Sequence, residues 1–311
     1  MRLLIQLLCS IVNIQDHKSK PTINQQRSSI MTMSPILIIG KNGKTGGRVN
    51  QRLRALGYPT RPVSRSTYPS FDWDNPATWQ AAVQGTRAAY ITYQPDLALP
   101  RAESAIKAFV KVAVESGLKH LVLLSGRGEV GAQRAEEVVK ASGLSWNIVR
   151  ASWFFQNFSE SFMLEGILAD ELVLPAVDTV EPFIDADDIA DVVVATLTRP
   201  GHRNALYEVT GPQALSFGQC INEISAALGR PIKYTGVPVD TYISALRETG
   251  APEDLQWLLH ELFTVVFDGR NSKSTSDIEQ ALGRPPTDFR TYVQKTLASG
   301  VWDPVILKES A

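Results

Sequence analysis

An uninterrupted apolar run, Pro35-Ile36-Leu37-Ile38-Ile39, leads directly into Gly40-Lys41-Asn42-Gly43-Lys44-Thr45-Gly46-Gly47. The run reads as a buried strand, and Val49, Leu53 and Leu56 beyond it recur at helical spacing. Glycines at 40, 43 and 46 permit positive φ, close backbone approach to a diphosphate and tight packing of helix on strand. Amide groups at the helix start then face the phosphates. Three spaced glycines alone also mark ordinary turns; the strand before them and the helix after them point to a dinucleotide cradle. Its expected contacts are Gly40, Asn42, Gly43, Lys44, Thr45 and Gly46.

The helix should end near Gly57, and Pro59 to Val63 reads as a second strand closing at Ser64-Arg65. No acid occurs between Gly40 and Phe71, whereas Lys41, Lys44, Arg48, Arg52, Arg54, Arg61 and Arg65 all fall there. A site selective for NAD places a carboxylate at the end of this second strand, to hold the ribose 2′-hydroxyl. Ser64 and Arg65 occupy that place, and a guanidinium beside a hydroxyl suits a 2′-phosphate. NADP(H) is therefore expected, with NAD(H) as the alternative coenzyme. The competing interpretation leaves Arg65 as a solvated loop residue.

Downstream, Ser70 to Trp73 is expected to be a third strand, followed by a helix with Asn75 as cap and Pro76 at its first position. Asp72 and Trp73 would then lie at a carboxyl edge, where open α/β sheets bind ligands. Trp73 either flanks an adenine ring or packs under the helix. Ala88 to Tyr93 is the fourth strand, bringing Thr92 and Tyr93 to the same edge; helix Pro100 to Gly117 follows. His120 to Ser125 is the fifth strand, ending at Ser125-Gly126-Arg127-Gly128; then come helix Gln133 to Ser142 and strand Ser145 to Arg150. This alternation argues an α/β protein with a doubly wound parallel sheet.

From Ala151 the pattern changes, because Trp153, Phe154, Phe155 and Phe158 crowd together just past a strand edge. They form either core or the wall of a substrate pocket, with Trp153, Phe154, Gln156 and Asn157 as its candidate lining. Phe183 to Ala190 reads as a short strand and a capped helix running through Leu197, with Asp185, Asp187 and Asp188 as cap and first-turn acids. Strand Tyr207 to Thr210, a helix from Ser216 to Leu228, strand Ile232 to Tyr234 and helices over Val239 to Thr296 complete the chain. The expected organisation is a dinucleotide domain over 34–150 and a smaller, α-rich substrate lobe over 151–311. Elements at about 183–210 return to the sheet.

With 31 basic and 32 acidic residues among 311, the net charge of −1 gives no general attraction to nucleic acid or anionic membrane. Cys9 and Cys220 lie far apart, and His17, His120, His202 and His260 are scattered, so no metal site is expected and a reducing, cytoplasmic setting is. Leu3 to Val12 has the look of a signal-peptide core but is too short to span a bilayer, and a polar stretch, Gln15 to Ser29, follows without a small-x-small cleavage site. Residues 1–33 are read instead as a disordered extension.

Several of these pieces together resemble the NmrA-like members of the atypical short-chain dehydrogenase/reductases, over about Ser34 to Trp302. They are Gly40 to Gly46, Ser64-Arg65, Phe71-Asp72-Trp73, Leu121 to Ser125, Ser152-Trp153-Phe154 with Asn157-Phe158, Phe183 to Ala190, Thr210-Gly211-Pro212 and Leu282 to Pro286. Within that family they most resemble the branch containing the clavine (ergot alkaloid) dehydrogenases, which reduce iminium compounds with NADPH. The resemblance implies a Rossmann domain with a C-terminal substrate lobe.

One departure matters: the Tyr-x-x-x-Lys pair that typical short-chain dehydrogenases use to protonate a carbonyl oxygen is missing, and the helix after Ser125 reads Ala132-Gln133-Arg134-Ala135-Glu136. Hydride transfer to a small iminium, quinone or conjugated acceptor needs little acid catalysis and is the expected reaction. Ser125 and Asn157 are its candidate catalytic contacts. The alternative is a non-catalytic NADP(H) sensor that binds a protein partner.

Overall fold

The computed structural model describes residues 33–175 and 178–303. The N-terminal extension, with its competing signal-peptide interpretation, lies outside the described residues apart from Met33. All four residues of strand β1, Ile36–Ile39, are buried, as expected for a parallel strand covered on both faces. It pairs in parallel with β2, Thr60–Val63, on one side and with β3, Ala88–Ile91, on the other. Beyond β3 come β4, His120–Gly126, β5, Ser145–Ala151, and β7, Ala205–Val209, giving a six-stranded parallel sheet in the order β2-β1-β3-β4-β5-β7. The direction of winding reverses between β1 and β3, so a crevice opens at their carboxyl ends.

One face of the sheet carries α1, Gly46–Ala55, α6, Ala186–Thr198, and α10, Asp277–Leu282, with Val49, Leu53, Ile189, Val193 and Ile278 in the core. Ion pairs join the first two: Arg52 reaches Asp187 at 2.7 Å and Asp191 at 2.6 Å, and Arg48 reaches Asp187 at 3.3 Å. Two of the seven basic residues between Gly40 and Phe71, Arg48 and Arg52, thus serve helix packing. The other face carries the short α2, Trp79–Val83, with α3, Ala102–Glu115, and α4, Val130–Lys140, over Trp79, Ile106, Phe109 and Val139.

The expected strand at Ser70 to Trp73 is not one. Its backbone groups bond elsewhere: Asp72 N donates to Thr78 Oγ1 at 3.1 Å, Asp72 O accepts from Trp79 Nε1 at 2.7 Å, and Phe71 N donates to Ser64 O at 3.0 Å. The period-2 aromatic pattern is real, since Phe71 and Trp73 both turn into the core with ring centroids 5.0 Å apart. Burial alone does not make a ladder. The expected strand at Phe183-Ile184 likewise shrinks to a single bridge between Phe154 and Ile184.

A third core belongs to the second lobe, where Phe155, Phe158, Phe183, Phe217, Phe267 and Phe289 pack together. It is built from α5, Met163–Leu168, α7, Phe217–Leu228, α8, Val239–Glu248, α9, Glu253–Glu261, and α11, Phe289–Ala298. A two-stranded parallel sheet of β6, Glu171–Pro175, and β8, Lys233–Val237, completes it. α7 starts in a full capping box between Ser216 and Gln219. α6 starts on Asp185, whose side chain accepts from Asp187 N. α6 and β7 lie on the main sheet, so the chain crosses back to it after entering the second lobe.

Candidate active site

Only Gly40 of the expected glycines has positive φ, at +78°. A Cβ there would lie 2.2 Å from Thr92 Oγ1, and a Cβ on Gly46 would lie 2.2 Å from Gly40 O. The turn is therefore pressed between the end of β3 and the start of α1, and glycine is required at both places. The amides of Asn42, Lys44 and Thr45 have no protein acceptor among the described residues. Unpaired amides at a helix start are an anion site, which suits a diphosphate. Thr45 contributes its amide, while its buried hydroxyl accepts from Tyr90 OH at 2.9 Å.

A cavity of about 680 Å³ opens beside the turn, lined by Gly40, Asn42, Ser64, Arg65, Asp72, Trp73, Asp74 and Thr92 among others. Arg65 is exposed on its rim, with no ion pair or hydrogen bond to protein among the described residues. Trp73 does two things at once. Its indole N–H donates to Thr92 O at 3.0 Å and its ring packs against Trp79 and Tyr93, while one edge still faces the cavity.

A second cavity of about 390 Å³ adjoins the first at Pro95, which lines both. Lys44, Tyr93, Ser125, Trp153, Phe154 and Asn157 all face it. Its far wall comes from α9 and the π-type turn that continues it, Leu262–Val266: Leu255, Leu258, Leu259 and Leu262 form one apolar stripe. That stripe was visible as a Leu pattern at helical spacing, but nothing local to it says which lobe it faces. Trp153 is braced from behind by Phe263 and Phe267, with centroids 5.4 and 5.5 Å away. Phe162 and Leu255 stay partly exposed at the mouth.

Gln156 is corrected. It is buried away from this cavity, donating through Nε2 to Asp185 Oδ1 at 2.7 Å and accepting from Ala186 N at 2.8 Å, so it fastens the start of α6. Asn157 does face the cavity, and its side-chain amide has no protein partner among the described residues, whereas its backbone N–H donates to Phe154 O at 3.1 Å. Ser125 is present too, but its hydroxyl proton is committed to Glu136 Oε1 at 2.6 Å. Glu136 is itself buried and clamped by Arg150 at 2.9 and 2.6 Å. Ser125 can therefore accept a hydrogen bond from a ligand rather than donate one.

The carboxyls that line this cavity were not singled out by sequence. Asp96 and Glu129 both face it as neighbours. Burial pushes both upward, and the Asp96 charge adds to the rise at Glu129. Lys44 is held below its usual range by burial, partly countered by Glu160. Behind the cavity wall, Ser152 Oγ donates to Glu181 Oε1 at 2.5 Å, and burial raises the Glu181 carboxyl to about 7. No group of three or more metal-ligating side chains occurs among the described residues, and no helix among them is long and apolar enough to cross a membrane.

A doubly wound sheet with a phosphate-cradling turn, and a second lobe that walls off an apolar cavity at the sheet's carboxyl edge, defines a dinucleotide-type fold. The NmrA-like family profile matches residues 131–294, over half of the 311-residue chain. The protein belongs to the NmrA-like family. It is 28% identical over 290 residues to an NAD(P)H azoreductase of Xenophilus azovorans, covering 85% of this chain and 98% of that one. It is 27% identical over 290 residues to agroclavine dehydrogenase of Claviceps fusiformis, covering 86% and 98%. Among solved structures, the triphenylmethane reductase of Citrobacter sp. complexed with NADP(H) superposes with a TM-score of 0.71 at 18% identity, covering 84% of this chain and 99% of that one.

Proposed function

We propose that this protein is an NADPH-dependent oxidoreductase that reduces small, apolar, electrophilic acceptors, and that it works in the cytoplasm. The observation that carries the proposal is the junction at Pro95, where the cavity of the glycine turn meets a cavity walled by aromatic rings and leucines. The unpaired amides of Asn42, Lys44 and Thr45 hold the diphosphate, and Ser64 with Arg65 holds the 2′-phosphate. Bound there, the reduced nicotinamide supplies a hydride. Trp153, Phe154 and the stripe from Leu255 to Leu262 exclude water and press a flat acceptor into place. Asn157 offers it a free amide, and Ser125 a hydroxyl oxygen. The relatives named for azo and clavine substrates make azo compounds, quinones and cyclic iminium ions the acceptors to try.

The test is NADPH oxidation, followed by absorbance, against a panel of those three acceptor classes, with coenzyme binding measured separately by calorimetry. Turnover of at least one class is expected. Tight NADPH binding without turnover of any would instead make the protein a coenzyme sensor. Binding of neither coenzyme would remove both.

A further inference from the structure

We propose that Glu129, paired with Asp96, is the proton donor of this reductase, taking the place of the missing tyrosine. The inference rests on the function proposed above and narrows it to acceptors that need a proton as well as a hydride. Both carboxyls line the acceptor cavity, across from the stripe of leucines, and they arrive there from different parts of the sheet edge. Asp96 follows β3 and accepts from Ala98 N at 2.8 Å. Glu129 directly precedes α4 and lies over Gly126, where a Cβ would come within 2.0 Å of its Cδ. Gly126 thus leaves open the space the carboxyl occupies.

Two neighbouring carboxyls facing one enclosed cavity cannot both ionise cheaply, so the pair shares one proton. The amide on Asp96 favours charge at Asp96, which leaves the proton on Glu129. The surroundings reinforce this: Glu136 of α4 and Glu261 of α9 add negative charge around Glu129, and burial acts in the same direction. Arg127, beside it, spends its charge on Glu208 at 2.9 Å. Lys44 faces the cavity from the glycine turn, and Tyr93 lines it.

The acceptor gains two electrons with the hydride from the reduced nicotinamide nucleotide, and the added charge gathers on a quinone oxygen or an azo nitrogen. The O–H bond of Glu129 breaks and a new O–H or N–H bond forms on that atom. The carboxylate pair is left one proton short. Its repulsion draws a proton back from water at the mouth beside Phe162. An iminium ion, neutralised by the hydride itself, has no use for the donor.

Two readouts test this. In coenzyme-free protein, infrared spectra with isotope-labelled carboxyls should show a protonated carboxyl at neutral pH that ionises only in the alkaline range. It should vanish in Glu129→Gln. In Asp96→Asn it should persist but ionise at lower pH, because the neighbouring charge is gone. In turnover, Glu129→Gln should slow quinone or azo reduction about a hundredfold in kcat and abolish its alkaline fall, while calorimetric NADPH affinity and any iminium reduction stay within about threefold of wild type. The conservative Glu129→Asp should recover part of the rate. Ionised Glu129 at neutral pH overturns the assignment, as does an equal loss on all acceptors, or a loss that appears only in Lys44→Gln. If NADPH binds but nothing is reduced, the proposed function fails. A persisting protonated pair would then be structural, and the donor role would fall with it.

Discussion

The proposed preference for NADPH rests on Arg65, which lines the coenzyme cavity without an ionic partner among the described residues. Charge-assisted hydrogen bonds of this kind are worth about 1.5–3 kcal/mol. Arg65→Ala should therefore raise KM for NADPH roughly tenfold or more while leaving that for NADH nearly unchanged; equal effects on both would dismiss the 2′-phosphate contact. Arg65 could be picked out in sequence because its place, at the end of the second strand, is set by local order. Gln156 could not be placed, since it looked like a pocket residue and is consumed by a distant partner, the start of α6. Glu181 was invisible for the same reason. Raised from an ordinary 4.5 to about 7, it stays protonated in the fold at pH values where the unfolded chain has lost the proton. Its contribution is full below the unfolded value and is lost as pH rises through 7, by about 3 kcal/mol. Urea unfolding of Glu181→Gln should show the variant gaining on wild type between pH 5 and 8; a constant difference would contradict a buried, proton-holding carboxyl.

At the scale of the element, continuous apolar runs identified the parallel strands, and Asp185 and Ser216 identified the starts of α6 and α7, because both signals are local, whereas Asn75, expected as a cap, makes no capping hydrogen bond. The failures were elements whose identity depends on a neighbour. Ser70 to Trp73 has a strand's pattern without a partner, and β6 became a strand only by pairing with β8, far along the chain. α6 shows how local and distant causes combine. Asp185 caps it and also receives the buried Gln156 amide, so one carboxylate fixes the helix start and the segment leaving β5. Asp185→Ala should cost about 1–3 kcal/mol, from the lost cap and an unsatisfied buried amide. Chemical denaturation measures it directly. A loss below about 0.5 kcal/mol would mean that the helix is held by packing and by its ion pairs to Arg48, Arg52 and Arg284.

For the whole molecule, the alternation of strand and helix made the doubly wound sheet readable, but how the two lobes share the cavity was not. That depends on α9 meeting the β4 and β5 edges across more than a hundred residues of chain, a distance over which no local pattern has authority. Coenzyme bound at the sheet edge touches the fold at β1, β2 and β3 together, so binding should stabilise the molecule as a unit. A ligand at a hundred times its Kd stabilises by about 2.7 kcal/mol, which for a chain of this size is a Tm rise of about 5 °C. NADPH should reach that shift at lower concentration than NADH, since only the former engages Arg65. In Arg65→Ala the two concentration curves should converge on that of NADH. Curves that coincide already in wild type would place the selectivity somewhere other than the end of β2; a shift with neither coenzyme would mean that the glycine turn holds no dinucleotide at all.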